Sequence, residues 1–109
     1  MPKAAFLGEW EQLVLLALLH LGADGYVLPL RAELSARIGR SVSRGALYRT
    51  LDRLEGKGYV GWKLQDDRAE ARGGLPRRRF RVTPKGIKAL RASRRALTDL
   101  WAGLDEVLE

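Results

Sequence analysis

The 109-residue chain has no cysteine and a single histidine, His20. Without thiols there are no disulfides and no thiolate metal sites, and the composition suits a reducing cytoplasm. There is also no phosphate-cradling glycine loop and no carboxylate pair beside a base. No catalytic constellation can be assembled from what remains, so the chain reads as a non-enzyme that needs no cofactor and no metal. Long apolar runs are missing too: the longest, residues 13–19, is far short of the roughly 18 residues a membrane span needs. It is flanked by Glu9, Glu11 and His20, with no basic lead segment and no small-residue cleavage site, which argues against a signal peptide. Internal repeats and low-complexity tracts are absent. The expectation is a cytoplasmic protein that does not enter a membrane.

Positive charge is what the chain has in excess. Twenty Lys and Arg against thirteen Asp and Glu give a net charge of +7, which favours polyanionic partners. The excess is local. Residues 1–41 are balanced, four charges of each sign, whereas residues 63–81 hold Lys63, Arg68, Arg72, Arg77, Arg78, Arg79 and Arg81 against Asp66, Asp67 and Glu70.

The stretch from Ser43 to Gly58 organises the rest. Ser43 is a helix N-cap and Gly58 a left-handed exit. Leu47, Leu51 and Leu54 make one apolar stripe between them, with Arg44, Tyr48, Arg49 and Arg53 on other faces. Before it, residues 8–21 read as a helix with Trp10, Leu13, Val14, Ala17, Leu18 and Leu21 on one face and Leu15, Leu16 and Leu19 opposite. A helix apolar all round needs cover on two sides, which points to a second subunit. A turn at Gly22 to Gly25 leads to a helix that has Pro29 in its first turn, directs Leu30, Leu34 and Ile38 inward and stops at Gly39.

After Gly58, residues 59–64 and 78–82 read as strands joined by a glycine-containing basic loop, with Phe80 and Val82 on one face and Arg79 and Arg81 on the other. Thr83 and Pro84 then open a final helix whose stripe of Ile87, Leu90, Leu97, Leu100, Trp101, Leu104, Val107 and Leu108 is interrupted at Ser93 and Arg94. Continued to residue 109, it is a rod of roughly 39 Å, longer than the preceding domain can cover. The expectation is a mostly helical α+β protein. Residues 1–83 form a winged helix-turn-helix of three helices and two strands, and residues 84–109 a long dimerisation helix.

In such a plan the third helix fits the major groove and the hairpin's cations meet phosphate. Arg44 and Arg49 are the candidates for base contact, and Ser43 and Tyr48 for phosphate. Arg53 shares the helix, while Lys63, Arg72, Arg77, Arg78 and Arg79 belong to the wing. The plainer reading is that these cations solvate an exposed face, and Tyr48 has the alternative of a core aromatic. Trp10, Leu13, Leu16, Leu97, Leu100, Trp101, Leu104 and Leu108 are the dimerisation candidates. Trp10 and Trp101 are either packing residues or the walls of a pocket for a planar ligand, and Trp62 packs the core or the wing.

A family resemblance rests on specific residues. They are residues 7–11, LGEWE, with the apolar run 13–19; residues 42–48, VSRGALY; residues 51–55, LDRLE; residues 57–60, KGYV; and residues 76–80, PRRRF, with Val82, Thr83 and Gly86. Over nearly its whole length the chain resembles PadR-type transcriptional regulators, in the short subgroup with one C-terminal dimerisation helix. The resemblance implies a homodimer that binds a dyad-symmetric operator on double-stranded DNA, usually as a repressor released by a small molecule or another signal. By position it assigns Ser43, Gly45 and Tyr48 to the DNA-reading helix and Pro76, Arg77 and Arg78 to the wing. Two departures stand out: Arg49 occupies a position where many members carry proline, and the tyrosine-glycine-tyrosine signature before the second helix is reduced to Gly25 and Tyr26. The competing function is a ligand-sensing or protein-binding adaptor that keeps the winged fold without operator binding.

Overall fold

Three helices surround one apolar cluster in the computed structural model, which describes residues 6–65 and 76–108. Helix α1 spans Glu9–Leu21 and opens with one half of a capping box, the Glu11 carboxylate accepting from the Gly8 amide at 3.2 Å while glycine has no side chain to complete it. It buries Val14, Leu15, Ala17 and Leu18, while Leu16 and Leu19 stay exposed. The inward face is the expected one at Val14, Ala17 and Leu18, with Leu13 half-buried, but Leu15, expected on the opposite side, is fully buried with them. Glu11, a buried carboxylate that reaches Lys57, lies on the same inward side.

A 3-10 turn at Gly22–Asp24 leads to Gly25, whose carbonyl accepts from the Phe80 amide at 2.7 Å. A Cβ on Gly25 would stand 2.2 Å from the Phe80 carbonyl oxygen, so only glycine admits this approach. Helix α2, Val27–Ile38, buries Val27, Leu30 and Leu34 and ends at Gly39 in the left-handed region, φ 71°. Arg31 on α2 donates from Nε to the Val42 carbonyl at 2.6 Å, holding the turn into the next helix.

Helix α3, Arg44–Gly56, starts where the sequence placed it: the Ser43 hydroxyl oxygen accepts from the Ala46 amide at 3.1 Å. Leu47, Leu51 and Leu54 are each 0% exposed, and Thr50 is buried between them. At the far end the Tyr59 amide donates back to the Leu54 carbonyl at 2.8 Å across Gly58, φ 80°.

Strands β1, Val60–Gln65, and β2, Arg77–Val82, pair antiparallel in a register running from Val60 opposite Val82 to Gln65 opposite Arg77. The residues between the strands that include Arg72, 66–75, lie outside the described residues. Helix α4, Pro84–Trp101, is capped by Thr83, whose hydroxyl accepts from the Gly86 amide and donates to the Gly58 carbonyl at 2.6 Å. The order of elements is that of a winged helix-turn-helix followed by a C-terminal helix.

Two expectations about α4 are corrected. The helix ends after 18 residues, about 27 Å, and does not run to residue 109. Ala102 leaves the helical region at ψ 128°, Gly103 turns left-handed at φ 83°, and Asp105–Leu108 forms a separate 3-10 turn. Ser93, an interruption by sequence, is 3% exposed: its hydroxyl accepts from the Leu7 amide at 3.2 Å and ties α4 to the start of the chain.

Candidate nucleic-acid interface

Docking α3 by its leucines leaves its other faces free. Arg44, Gly45 and Arg49 are exposed. A Cβ on Gly45 would lie 3.4 Å from Arg49 Nη1, so the Arg49 side chain reaches back along the helix toward Gly45, one turn earlier. Ser43 spends its oxygen lone pair on the cap, and its O–H remains a donor.

Arg53, exposed on α3, leans toward α1. It lies 4.0 Å from the Glu11 carboxylate and donates from Nη2 to Thr50 Oγ1 at 3.4 Å, so its reach is toward α1. Glu11 also takes Lys57 Nζ at 2.9 Å. Burial pushes the Glu11 carboxyl up, but the Lys57 and Gly8 hydrogen bonds and the charges of Lys57 and Arg53 outweigh it, leaving the group below its ordinary value. Trp10 completes the α1 to α3 contact, donating from Nε1 to Thr50 Oγ1 at 2.7 Å. Sequence reasoning missed Glu11 and Thr50. Glu11 stands three residues after the N-cap Gly8, the spacing of a capping box, and that was the available signal.

The hairpin divides its cations between two faces. Arg78 shares the Phe80 and Val82 face, where its guanidinium carbon lies 5.6 Å from the Tyr48 ring centre, 5.1 Å from Trp62 and 5.8 Å from Phe80. These are cation–π distances, and they couple the wing to α3 through Tyr48, which is half-buried. Trp62 adds a second tie, donating from Nε1 to Glu55 at 2.6 Å. Lys63 and Arg79 stand opposite each other on the other face, with Arg81 beside them. Arg77 stacks 3.9 Å over Tyr26 with its Nε buried and without a hydrogen-bond partner. Tyr26, the tyrosine that remains of the reduced signature, is thus the platform for Arg77 at the loop end of the hairpin.

The dimerisation candidates separate into two groups. Trp10 and Leu13 are half-buried and packed against the chain's own core. Leu16, Leu97, Leu100, Trp101, Leu104 and Leu108 are exposed. A groove of about 390 Å³ runs between α1 and α4, lined by Leu16, Leu19, Leu90, Leu97 and Trp101 among others. Trp10 lines a different hollow, beside Ser43 and Ala46. Within one chain the two tryptophans therefore do not wall a common pocket, because the Thr50 bond holds Trp10 against α3. Among the described residues no helix is long and apolar enough to cross a membrane, and no three His, Cys, Asp or Glu side chains cluster as metal ligands.

The transcriptional regulator PadR-like family model matches residues 15–92. Transcriptional regulator Rv3488 of Mycobacterium tuberculosis is 44% identical over 89 residues, which cover 80% of this chain and 78% of that protein. Among solved structures, a PadR family transcriptional regulator from Eggerthella lenta aligns with a TM-score of 0.66 at 27% identity, over 90% of this chain and 82% of that one. A PadR-like transcription factor from Bacteroides fragilis aligns at 0.73 and 20% identity, over 90% and 88%, a likeness of fold. The capped third helix, the arginine-bearing hairpin and the added C-terminal helix are thus the parts of a known plan, and the chain belongs to the PadR-like family of transcriptional regulators.

Proposed function

We propose that the protein is a homodimeric, sequence-specific DNA-binding repressor of an operator with dyad symmetry, released by a small planar molecule or another signal. The observation that carries this reading is α3: its leucines are wholly buried while Arg44 and Arg49 stand free at its N-terminal half. A helix so presented fits the major groove, where an arginine fork reads guanine. Ser43 and Tyr48 supply hydroxyls for phosphate, Arg78 supplies charge beside the helix, and Arg77, Arg79, Lys63 and Arg72 add to the positive charge of residues 60–82.

The second copy is what α4 calls for. Leu97, Leu100 and Trp101 are exposed and continuous with Leu16 and Leu19 of α1, an apolar surface of the kind that an isolated soluble chain rarely leaves open. Two copies related by a dyad meet successive major grooves about 34 Å apart, which makes the operator an inverted repeat. The same groove, with Trp101 at its margin, is where a planar effector would bear on the dimer.

Gel-shift titration across several salt concentrations tests the reading. Affinity for the operator should fall linearly on a log–log plot and exceed that for scrambled DNA. Arg44→Ala should cost about 1–3 kcal/mol on the operator and flatten sequence preference. Equal affinity for scrambled DNA, or a flat salt plot, overturns it.

A further inference from the structure

The outer face of the hairpin carries a feature that packing does not explain. Lys63 and Arg79 are directly opposed across β1 and β2, and Arg81 follows on the same face. Opposed like charges cost a hairpin stability. Among the described residues none of the three has a carboxylate partner. Asp24, the one acid of the neighbouring 3-10 turn, is exposed and does not line the space between turn and hairpin.

That space is a hollow of about 320 Å³ lined by Gly22, Ala23, Lys63, Arg79, Phe80 and Arg81. A glycine shapes it. Gly61 stands opposite Arg81, and a Cβ there would lie 2.9 Å from Arg81 Nη1 and 3.0 Å from its guanidinium carbon. Glycine inside a strand weakens the strand, and here the missing side chain is what lets the Arg81 guanidinium lie across the hairpin beside Lys63 and Arg79. The one aromatic residue of the lining, Phe80, is 2% exposed and offers no face on which a base could stack. Three convergent cations without an acid or a stacking surface suit a doubly or multiply charged oxyanion.

We propose that this hollow is a phosphoanion site on the side of the wing turned away from the Tyr48 and Arg78 contact. Its ligand is a phosphate group, supplied either by a nucleic-acid backbone or by a free phosphate-bearing small molecule. The inference stands on the hollow itself and does not require the operator reading.

The test uses the full chain and inorganic pyrophosphate, titrated calorimetrically at constant ionic strength against sodium chloride. The wild-type protein should bind one pyrophosphate per chain. The double variant Lys63→Gln with Arg81→Gln should bind about tenfold or more weakly. Both side chains are exposed, and their removal relieves repulsion, so the thermal midpoint should hold or rise. Gly61→Ala, which displaces Arg81 and removes no charge, should weaken pyrophosphate several-fold, a response that a merely solvated face would not give. Duplex binding identifies the source. If the double variant loses affinity equally for all sequences and its salt slope falls by about 2, the phosphate belongs to the nucleic-acid backbone. If duplex binding is unchanged while pyrophosphate is lost, the ligand is a free phosphoanion. Pyrophosphate binding that the double variant retains, or no pyrophosphate binding together with unchanged duplex binding, overturns the proposal.

Discussion

Helices α3 and α4 are written in the same pattern, leucines at helical spacing with arginines between them, and they end in opposite states. In α3 the stripe of Leu47, Leu51 and Leu54 is sealed by the chain itself. In α4 only Gly86 and Ser93 are buried, while Leu97 is 48% and Leu100 75% exposed. An apolar stripe therefore says that a helix face wants cover without saying who provides it. Neighbouring elements decide. Helix α3 is clasped by α1, α2 and β1, whereas α4 meets α1 and β2 and still leaves Leu97 and Leu100 uncovered.

Leu51→Ala breaks the first half of the comparison and carries the largest expected effect. The side chain is fully buried, so truncation leaves a cavity and should cost about 2–5 kcal/mol in urea unfolding. Leu100→Glu breaks the other half differently. It puts charge on an exposed face, so the protomer should keep its far-ultraviolet helix signal while light scattering reports the monomer mass. If the mass of Leu100→Glu stays at that of the wild-type assembly, α4 does not provide the interface.

The same contrast explains what was legible in the sequence. Ser43, the leucine spacing and Gly58 are local signals, and each produces its effect within a turn or two, so α3 was bounded almost to the residue. The phase of α1 was legible at Val14, Ala17 and Leu18, which the spacing turned inward, but not at Leu15, because residues 13–19 are all apolar and no polar residue among them marks the edge of the buried face. The end of α4 was masked by Leu104 and Leu108, which continue the spacing past Gly103 although the backbone has turned there. In the hairpin, alternation separated Phe80 from Arg79 as the register does, and Arg44 and Arg49 of α3 are exposed. That Arg78 would rest on Tyr48, and that Arg53 would reach toward Glu11, depends on how the wing and α1 approach α3, which no local pattern encodes.

Smaller effects sharpen the boundary between the two helices. Gly86 begins α4 where it still belongs to the core: a Cβ there would lie 2.3 Å from the Tyr59 carbonyl oxygen and 2.8 Å from Val82 Cγ1. Gly86→Ala should therefore cost about 1–3 kcal/mol, since the backbone oxygen cannot step aside as a side chain would. Thr50→Val acts on the docked helix. It removes the acceptor of the Trp10 N–H and should cost about 1–2 kcal/mol, with a changed Trp emission in the folded protein. An unchanged emission would place Trp10 outside the α3 contact.

The smallest effect concerns the ionic side of the same contact. Glu11 joins α1 to Lys57 at the end of α3, and its carboxyl is held below its ordinary value of 4.5 in the folded chain. A carboxyl so depressed contributes stability above pH 4.5, and that contribution is lost as pH falls through the lower folded value. Glu11→Gln should thus be less stable than wild type near neutral pH, and the gap should close on acidification. Lys57→Met tests the cause, because it removes the hydrogen bond and charge that oppose burial while leaving the carboxyl in place. With its partner gone, burial should dominate, the carboxyl should titrate higher, and the acid-side loss of stability should begin at higher pH than in wild type. If the urea midpoints of wild type and Glu11→Gln run parallel from neutral to acid pH, the ion pair does not secure α1 to α3, and the Trp10 to Thr50 bond and apolar packing hold that contact alone.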